Sequence, residues 1–522
     1  MAIETPPLPV LIDMRVRATP DGIALTSVEQ GSVSWRELRV ASFRWANWLR
    51  GRGIQPGDHV VTLVPQSLEA AYVWLACATI GAIEVSINSA FRGEWMRHAL
   101  SVSKARVVVL SERFLAQVAP CLAGTDVQAL LIYDSEQEPA PREGVEIVTS
   151  SPASESEAPP PAVEVGPHDT ACVLYTSGTT GASKAVLVPW RQLALSLAVD
   201  PAFASPERQT FYLPYAPYHL SGRCAIYRGA LAGGHTVVRE SFSTSAFWTD
   251  VRRFGCTWTI LYAAPARFLM AQPETPADGD NPLEWVLMCP LLPEVDAFRR
   301  RFGARVYSVY GMTEIGNPLR VDPEMATSDR AGCCGHPIDG IEARLVDAFD
   351  HSVPDGRPGE LILRSRDPWC FTSGYLGIPE ATAKAWRNGW FHTGDILRKA
   401  ADGDFYYVDR SKDMIRRRGE NVASAELEAA ILKCPLVSEA AVVGVPSSVG
   451  DEDILAAIVP KRHPLACQDV IAFLSEIVPR FALPRYIRVL EALPRTQATQ
   501  RVEKHVLRAA GVGEDCWDRE RA

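Results

Sequence analysis

Short β-branched runs alternate with helical patterns throughout the first 135 residues of this 522-residue chain. The spacing of apolar residues predicts a helix over Trp35–Gly51, and the runs at 60–64 and Val107–Leu110 predict buried strands. Because strands connected by helices pair in parallel, this alternation predicts βαβ units around a parallel sheet. The expected fold class is therefore α/β, with a large N-terminal α/β domain of several subdomains.

The last part of the chain has a different pattern. Leu427, Ala430 and Ile431 lie on one face of a predicted helix, and strand-like runs follow at 440–445 and 454–459. This pattern predicts a small α+β domain, so we divide the chain into residues 1–409 and 410–522. The chain ends soon after this unit, and we expect no appended carrier domain.

Residues 136–167 are rich in Pro, Ser, Glu and Ala. Such a composition is typical of segments that bury little apolar surface. It predicts a surface segment that forms no packed core.

Charge and composition exclude several classes of function. With 53 Lys and Arg against 62 Asp and Glu, the net charge of −9 has the wrong sign for a nucleic-acid-binding protein. The chain has no apolar run of about 18 residues and no basic, apolar leader, so we expect a cytoplasmic protein without a membrane span. The twelve cysteines form no C-x-x-C pair and no H-E-x-x-H motif occurs, which predicts reduced, mostly buried thiols and no zinc hydrolase.

The strongest local motif is a loop rich in glycine and hydroxyl residues. It reads Tyr175-Thr-Ser-Gly-Thr-Thr-Gly-Ala-Ser-Lys184 and lies between apolar runs at 171–175 and 186–188. Backbone N–H groups and hydroxyls in such a loop can surround phosphate oxygens, and Lys184 adds a positive charge. The loop differs from a Walker A motif, because Ser183 precedes the lysine and a strand is predicted to follow.

Four further motifs follow along the chain. They are Tyr310-Gly-Met-Thr-Glu314, Gly389-Trp-Phe-His-Thr-Gly-Asp395, Asp409-Arg-Ser-Lys-Asp-Met-Ile415 and Gly419-Glu-Asn421. Together with the loop, they resemble the motifs of the ANL superfamily of adenylate-forming enzymes, which includes acyl- and aryl-CoA synthetases, peptide-synthetase adenylation domains and luciferases. The resemblance covers almost the whole chain. It implies an N-terminal AMP-binding domain, a small mobile C-terminal domain, and ATP-dependent acid activation through an acyl-adenylate with release of pyrophosphate.

The resemblance assigns residues to the phosphates and the metal. It implies that the phosphates of ATP are bound by Thr176, Ser177, Gly178, Thr179, Thr180, Gly181 and Lys184. Thr313 and Glu314 would contact the α-phosphate and Mg²⁺, for which carboxylate oxygen is a suitable ligand. Thr176 would be a second metal contact.

The resemblance also implies contacts to the nucleoside and a moving domain. Tyr310 would stack on adenine, and Asp395 would accept hydrogen bonds from both ribose hydroxyls with Arg410 beside it. In the family the C-terminal domain swings between an adenylating and a thioester-forming pose, and Lys412 matches the pivot residue. Gly419 would enter the site in the second pose and let a pantetheine arm approach. For the basic residues just before it, a solvated turn is the alternative.

One position departs from the family pattern. The lysine near the end of the chain that bridges the acid and ATP is replaced by Arg501, which keeps the charge but carries a planar guanidinium. We expect Arg501 to take over that catalytic role in an altered form. Lys504 is a weaker substitute.

The resemblance narrows the acid substrate. His219 stands where domains that activate amino acids carry an aspartate, as is common in acyl- and aryl-CoA ligases, and it is counted among the catalytic residues. The stretch 86–93 resembles the carnitine/crotonobetaine-CoA ligase-like branch. The stretch 286–293 replaces a Gly-rich segment beside the acyl pocket, which implies a reshaped pocket.

Three functions remain open at this point. The leading one is an AMP-forming acid–CoA ligase on a small carboxylic or aryl acid, with ATP, Mg²⁺ and CoA, acting as a monomer or homodimer. The second is an ATP-dependent diazotase that adenylates nitrite and transfers the nitroso group to an aryl amine. The third is a degenerate, non-catalytic nucleotide-binding homologue.

Overall fold

The computed structural model describes residues 5–135, 144–176, 183–198, 209–410, 414–448, 450–494, 502 and 504–521. The helices of this part of the chain are α1 (Leu8–Ala18), α2 (Trp35–Gly51), α3 (Leu68–Thr79), α4 (Gly93–Ser103), α5 (Leu115–Val118), α6 (Trp190–Ala198), α7 (Leu220–Ala232), α8 (Phe247–Phe254), α9 (Ala263–Met270), α10 (Val295–Phe302), α11 (Pro379–Ala385), α12 (Ser424–Leu432), α13 (Cys467–Ser475) and α14 (Lys504–Ala510). The strands of the N-terminal part are β1 (Ile23–Ser27), β2 (Gly31–Ser34), β3 (His59–Leu63), β4 (Ile83–Ser86), β5 (Val107–Leu110), β6 (Ala129–Ile132), β7 (Glu146–Thr149), β8 (Thr170–Thr176), β9 (Lys184–Pro189), β10 (Thr210–Leu213), β11 (His235–Val238), β12 (Trp258–Tyr262), β13 (Trp285–Cys289), β14 (Arg305–Met312), β15 (Gly316–Val321), β16 (Cys333–Pro337), β17 (Ile341–Val346), β18 (Pro358–Ser365), β19 (Gly374–Tyr375), β20 (Phe391–Lys399) and β21 (Phe405–Arg410). Those of the C-terminal part are β22 (Met414–Arg417), β23 (Glu420–Ala423), β24 (Val437–Ser447), β25 (Gly450–Pro460), β26 (Tyr486–Val489) and β27 (Cys516–Asp518).

Two large sheets form the N-terminal part. One has 13 strands in the order β17-β18-β20-β21-β16-β15-β14-β13-β12-β10-β11-β1-β2, and the other has eight in the order β19-β9-β8-β4-β3-β5-β6-β7. Within the second sheet, the strands from β8 to β7 in that order pair in parallel. The predicted α/β fold is confirmed. Helix α2 and strand β5 have the predicted bounds, and β3 is displaced by one residue.

Helix α2 shows how local sequence fixes these elements. Ser34 precedes it, and Ser34 Oγ accepts a hydrogen bond from the Glu37 N–H at 3.2 Å while the Glu37 carboxylate accepts one from the Ser34 N–H at 2.7 Å. This capping box satisfies two donors that a helix start leaves unpaired. The helix then buries Trp35, Leu38 and Trp48 against neighbouring elements.

The expectation for residues 136–167 is wrong in part. Strand β7 pairs in parallel with β6 and forms an edge of the eight-stranded sheet. Ile147 and Val148 are half-buried, and Val148 packs against the cluster that contains Trp48. Two adjacent β-branched residues, one on each face, are enough for an edge strand even inside a segment of polar composition.

The C-terminal part contains the predicted α+β unit. Leu427, Ala430 and Ile431 of α12 are buried as predicted. The strands β24, β25, β26 and β27 form a four-stranded sheet, and β22 and β23 form a separate hairpin. Strand β21 of the N-terminal sheet extends through Arg410, one residue past the predicted boundary. The hinge at Lys412 lies outside the described residues and stays a prediction.

Two further predictions from composition concern the cysteines and a membrane-spanning helix. All twelve cysteines are free thiols, and all but Cys289 and Cys516 are buried, as predicted. Among the described residues, no helix has the length and apolar character that crossing a bilayer requires.

Candidate active site

A cavity of about 1480 Å³ brings together strand ends and loops of the N-terminal part and the β22–β23 hairpin. Seven of the residues singled out in the sequence line it, namely Thr176, Lys184, His219, Thr313, Glu314, Asp395 and Gly419. Residues 177–181, Lys412 and Arg501 lie outside the described residues, so their roles stay predictions.

Lys184, Tyr375 and Glu314 form a connected group at the end of the phosphate loop. Lys184 is the first residue of β9, and its Nζ lies 4.6 Å from the ring centroid of Tyr375, a cation–π contact. The Tyr375 hydroxyl donates a hydrogen bond to Glu314 Oε1 at 3.0 Å. Burial lowers the pKa of Lys184, the charge of Glu314 opposes this, and the charge of Lys384 lowers it further.

The Thr313–Glu314 pair follows β14 and is fixed by its main chain. The Thr313 carbonyl accepts a hydrogen bond from Gln192 Nε2 at 2.6 Å, and the Glu314 carbonyl accepts one from the Thr372 N–H at 2.7 Å. The Glu314 side chain is buried. These bonds hold the pair at the cavity wall through contacts with two other segments.

The oxygen atoms of Glu314 and its neighbours fit a Mg²⁺ ion that is bound together with a nucleotide. Mg²⁺ in nucleotide sites is held by one or two carboxylates while phosphates and waters supply the other ligands. Glu314 is a carboxylate of this kind, and the hydroxyl residues Thr176 and Thr313 line the same cavity. No group of three or more His, Cys, Asp or Glu suited to a metal is found in the described part of the chain. The residues therefore fit a metal that is shared with a nucleotide.

Asp395 lies on β20 with 3% of its surface exposed. Its Oδ2 accepts a hydrogen bond from the Tyr310 hydroxyl at 2.7 Å. Burial and the charge of Asp395 raise the pKa of Tyr310, which keeps this hydroxyl a neutral donor. In the sheet register, Asp395 is paired with Arg410 of β21, so the two predicted ribose-side residues are main-chain neighbours. The stacking of Tyr310 on adenine stays a prediction.

The β22–β23 hairpin carries Gly419 into the cavity. Its turn residues Arg418 and Gly419 have φ values of +50° and +81°, and a two-residue turn of this kind needs positive φ at both positions. The next residue, Glu420, places Oε1 at 3.1 Å from His219 Nε2. Burial lowers the pKa of His219, but the charge and hydrogen bond of Glu420 outweigh burial, so this pKa is raised.

The hairpin is anchored within the C-terminal part. The Arg417 side chain is 2% exposed and lies 3.3 Å from Asp453 Oδ1. It also donates to the Leu483 carbonyl. The alternative of a solvated basic turn is therefore wrong for Arg417.

Lys504 is held away from the catalytic role considered for it. Its Nζ donates to Ser424 Oγ at 2.8 Å and pairs with Glu428 Oε1 at 2.6 Å. Both partners belong to α12 of the C-terminal part.

Helix α12 also contacts the end of the phosphate loop. Burial raises the pKa of Glu426 to about 8, and the nearby backbone of Ser183 opposes this rise. The C-terminal part thus contacts the N-terminal part both at His219 and at the phosphate loop.

Apolar and aromatic residues line the cavity around His219. They include Tyr215, Leu220, Ile260, Tyr262, Phe268 and Leu287. Leu287 and Cys289 come from the stretch that replaces the Gly-rich segment, so that stretch does shape the pocket. The segment before α7 is held by the buried Arg223, which donates to the Pro217 carbonyl at 3.1 Å and pairs with Glu84 at 2.9 Å.

Sequence reasoning missed two contributors to the site. Glu420 lies inside the motif Gly419-Glu-Asn421, but its partner His219 is 201 residues away. Tyr375 lies 61 residues from Glu314, and no local motif connects the two. In both cases the two residues meet through a contact between segments far apart in the sequence, and no motif in the sequence indicates that contact.

Comparison with known proteins agrees with this geometry. The family model described as AMP-binding enzyme matches residues 12–376, and the model for the AMP-binding enzyme C-terminal domain matches residues 426–499. A crotonobetaine/carnitine–CoA ligase from Citrobacter koseri is 31% identical over 488 residues, which cover 91% of this chain and 92% of the relative. The chain belongs to the AMP-binding enzyme family.

Solved structures confirm the fold. The amide bond synthetase McbA from Marinactinospora thermotolerans has a TM-score of 0.83 and 27% identity, covering 96% of this chain and 99% of that protein. A double mutant of o-succinylbenzoate CoA synthetase (MenE) from Bacillus subtilis bound to its product analogue has a TM-score of 0.82 at 22% identity, covering 96% and 98%. MenE in complex with AMP reaches only 0.66 at 23% identity, covering 97% and 99%. The overall arrangement of this chain is thus nearer to the product-analogue complex.

The family membership defines the class of enzyme. The chain is an AMP-forming ligase that activates an acid through an acyl-adenylate. The relatives support the acid–CoA ligase interpretation and give no support to nitrite activation or to a non-catalytic homologue.

Proposed function

We propose that this enzyme joins a small carboxylic or aryl acid to CoA in two half-reactions within the one cavity. The observation that carries the proposal is the shared cavity itself. Glu314 and Asp395, assigned to the nucleotide, and Gly419, assigned to the thioester step, line the same space.

In the first half-reaction the carboxylate of the acid attacks the α-phosphorus of ATP and pyrophosphate leaves. Lys184 neutralises charge on the phosphates, and Asp395 accepts the ribose hydroxyls. Mg²⁺ bound at Glu314 together with the nucleotide would supply further charge neutralisation. Because the described groups are fixed by sheet register and main-chain bonds, they stabilise the developing charge with little reorganisation.

In the second half-reaction the thiolate of CoA attacks the acyl carbonyl and AMP leaves. Gly419 has no side chain to obstruct the approach, and a Cβ at this position would meet no atom within 4 Å. The charge and hydrogen bond of Glu420 raise the pKa of His219, which favours the positively charged imidazolium, and this charge would stabilise negative charge at the reacting carbonyl. The apolar wall around His219 would hold the body of the acid.

Pyrophosphate release across a panel of carboxylic acids, with and without CoA, tests the proposal. We expect acid-dependent release of pyrophosphate and consumption of one CoA thiol for each AMP formed. Acid-dependent release of pyrophosphate, followed by transfer of the acyl group to an added amine without consumption of CoA, would show that an amine is the acceptor in place of CoA. Pyrophosphate release that occurs only with nitrite and an aryl amine would show that the substrate is not a carboxylic acid.

A matched glycine pair tests the role of the hairpin. Gly419 and Gly403 both have positive φ and open space where a Cβ would lie, but only Gly419 lines the cavity. We expect Gly419→Val to slow thioester formation more than adenylate formation. Gly403→Val should lower the two rates in equal proportion or leave them unchanged. Equal losses in the Gly419 variant would contradict the proposed path for the pantetheine arm.

A further inference from the structure

A second lysine faces the phosphate side of the cavity. Lys384 lies on α11 and lines the cavity together with Lys184 and Glu314. Burial is the main cause that lowers the pKa of Lys184, and the charge of Lys384 lowers it further. Both ammonium groups therefore add positive charge to the same cavity, where they attract an anionic ligand.

Helix α11 is held so that this lysine faces the cavity. The Tyr375 N–H donates to Thr382 Oγ1 at 2.9 Å, which joins α11 to the tyrosine that contacts Lys184 and Glu314. Ile378, Ala381 and Ala385 share the cavity-lining face with Lys384 and pack against the core.

Other charges nearby have different roles. Arg387 lines the cavity too, but it is paired with Asp350 at 3.1 Å and with Glu360 at 3.0 Å. Lys384 is exposed, and Glu380 lies one turn earlier on α11. Both residues belong to the described part of the chain, and no ion pair within 4.0 Å joins them. The ammonium group of Lys384 can reach a ligand in the cavity without breaking such a pair.

We propose that Lys384 binds the β- and γ-phosphates of ATP and the departing pyrophosphate, as a second cation opposite Lys184. This inference rests on the proposed adenylation function and adds a residue for the polyphosphate end of the nucleotide. Asp395 and Glu314 are assigned to the ribose and the α-phosphate, and the group formed by Glu314, Tyr375 and Lys184 continues from there to Lys384. AMP has no β- and γ-phosphates, so Lys384 should not contribute to its binding.

Calorimetric titration of ATP, AMP and pyrophosphate, each with Mg²⁺, tests the inference. Lys384→Ala should weaken ATP and pyrophosphate binding about two- to fivefold, the size expected for one solvent-exposed ion pair, and should leave AMP binding unchanged. Lys384→Arg should bind all three ligands nearly as well as the wild type. Lys461→Ala removes an exposed lysine that does not line the cavity, and it should change none of the affinities.

The titrations separate this inference from the proposed function. If Lys384→Ala loses ATP and AMP affinity equally, or keeps its ATP and pyrophosphate affinity, the inference is overturned while nucleotide binding stands. If the wild type binds neither ATP nor AMP, the proposed function itself fails.

Discussion

The two sides of the cavity are built in different ways. Lys184, Glu314 and Asp395 come from the N-terminal part, and their positions follow from strands β9, β14 and β20. The other side is supplied by the β22–β23 hairpin of the C-terminal part, which contacts the N-terminal part through Glu420 and His219. The first side is formed within the N-terminal part alone, whereas the second requires the hairpin to lie against the N-terminal part.

This difference indicates how one cavity can serve two reactions. A few residues between packed domains can absorb the backbone changes of a rigid-body rotation. The nucleotide side would then remain in place while the C-terminal part offers first one surface and then another. The experiments below test how independent the two sides are, beginning with the largest expected effect.

Arg501→Ala tests whether the C-terminal part also serves the nucleotide side. If Arg501 bridges the acid and the α-phosphate during adenylation, its loss should slow adenylate formation about a hundredfold to a thousandfold, the cost of removing one charge-stabilising group. ATP binding should stay nearly intact, because the contact strengthens as the transition state forms. Single-turnover adenylate formation measures the rate, and Arg501→Lys should recover it in part.

Lys504→Ala is the control for this experiment. Lys504 is bonded to Ser424 and Glu428, so its removal should lower the stability of the C-terminal part and leave the adenylation rate of the folded enzyme unchanged. If Arg501→Ala forms the adenylate at the wild-type rate, Arg501 has no role in that step.

Asp395→Ala tests the independence of the nucleotide side. The ribose hydroxyls would lose their acceptor, at a cost of about 1–3 kcal/mol, or about five- to 150-fold in Kd. ATP and AMP should lose the same factor, because both carry the ribose. Asp404→Ala removes another buried aspartate, which pairs with Arg330 outside the cavity, and should lower the Tm without changing either affinity. Calorimetry that shows unchanged affinity in Asp395→Ala would exclude the residue from the site.

The same division explains what the sequence could predict. Trp35–Gly51 carries its own cap and apolar stripe, so a single segment contains the information that defines it. Asp395 and Arg410 were assigned from motifs, and the sheet register places them side by side. The strand at 146–149 was missed because its partner β6, rather than its own composition, makes it a strand. Glu420 and Tyr375 were missed for a similar reason, since their roles depend on side chains far away in the sequence.

Glu420→Gln tests the hairpin side and has the smallest expected effect. The charge and hydrogen bond of Glu420 raise the pKa of His219 above its ordinary value. The ionic contact is therefore fully present below that ordinary pKa and is lost as pH rises through the raised pKa. The pair is partly exposed, with 36% and 20% of the two side chains accessible, so we expect it to contribute about 0.2–1 kcal/mol, or up to about fivefold in rate.

The ratio of the thioester rate to the adenylation rate, measured as a function of pH, reports this contribution. In the wild type the ratio should fall as pH rises through the raised pKa of His219, because the hairpin then loses its ionic contact with the N-terminal part. In Glu420→Gln the ratio should be lower at neutral pH, and the pKa of His219, followed by NMR, should fall because the carboxylate that raises it has gone. Glu476→Gln, which removes an exposed carboxylate of the C-terminal part, should reproduce the wild-type profile. A Glu420→Gln profile identical to the wild type, with an unchanged His219 pKa, would show that the ionic contact between Glu420 and His219 does not contribute to the thioester step.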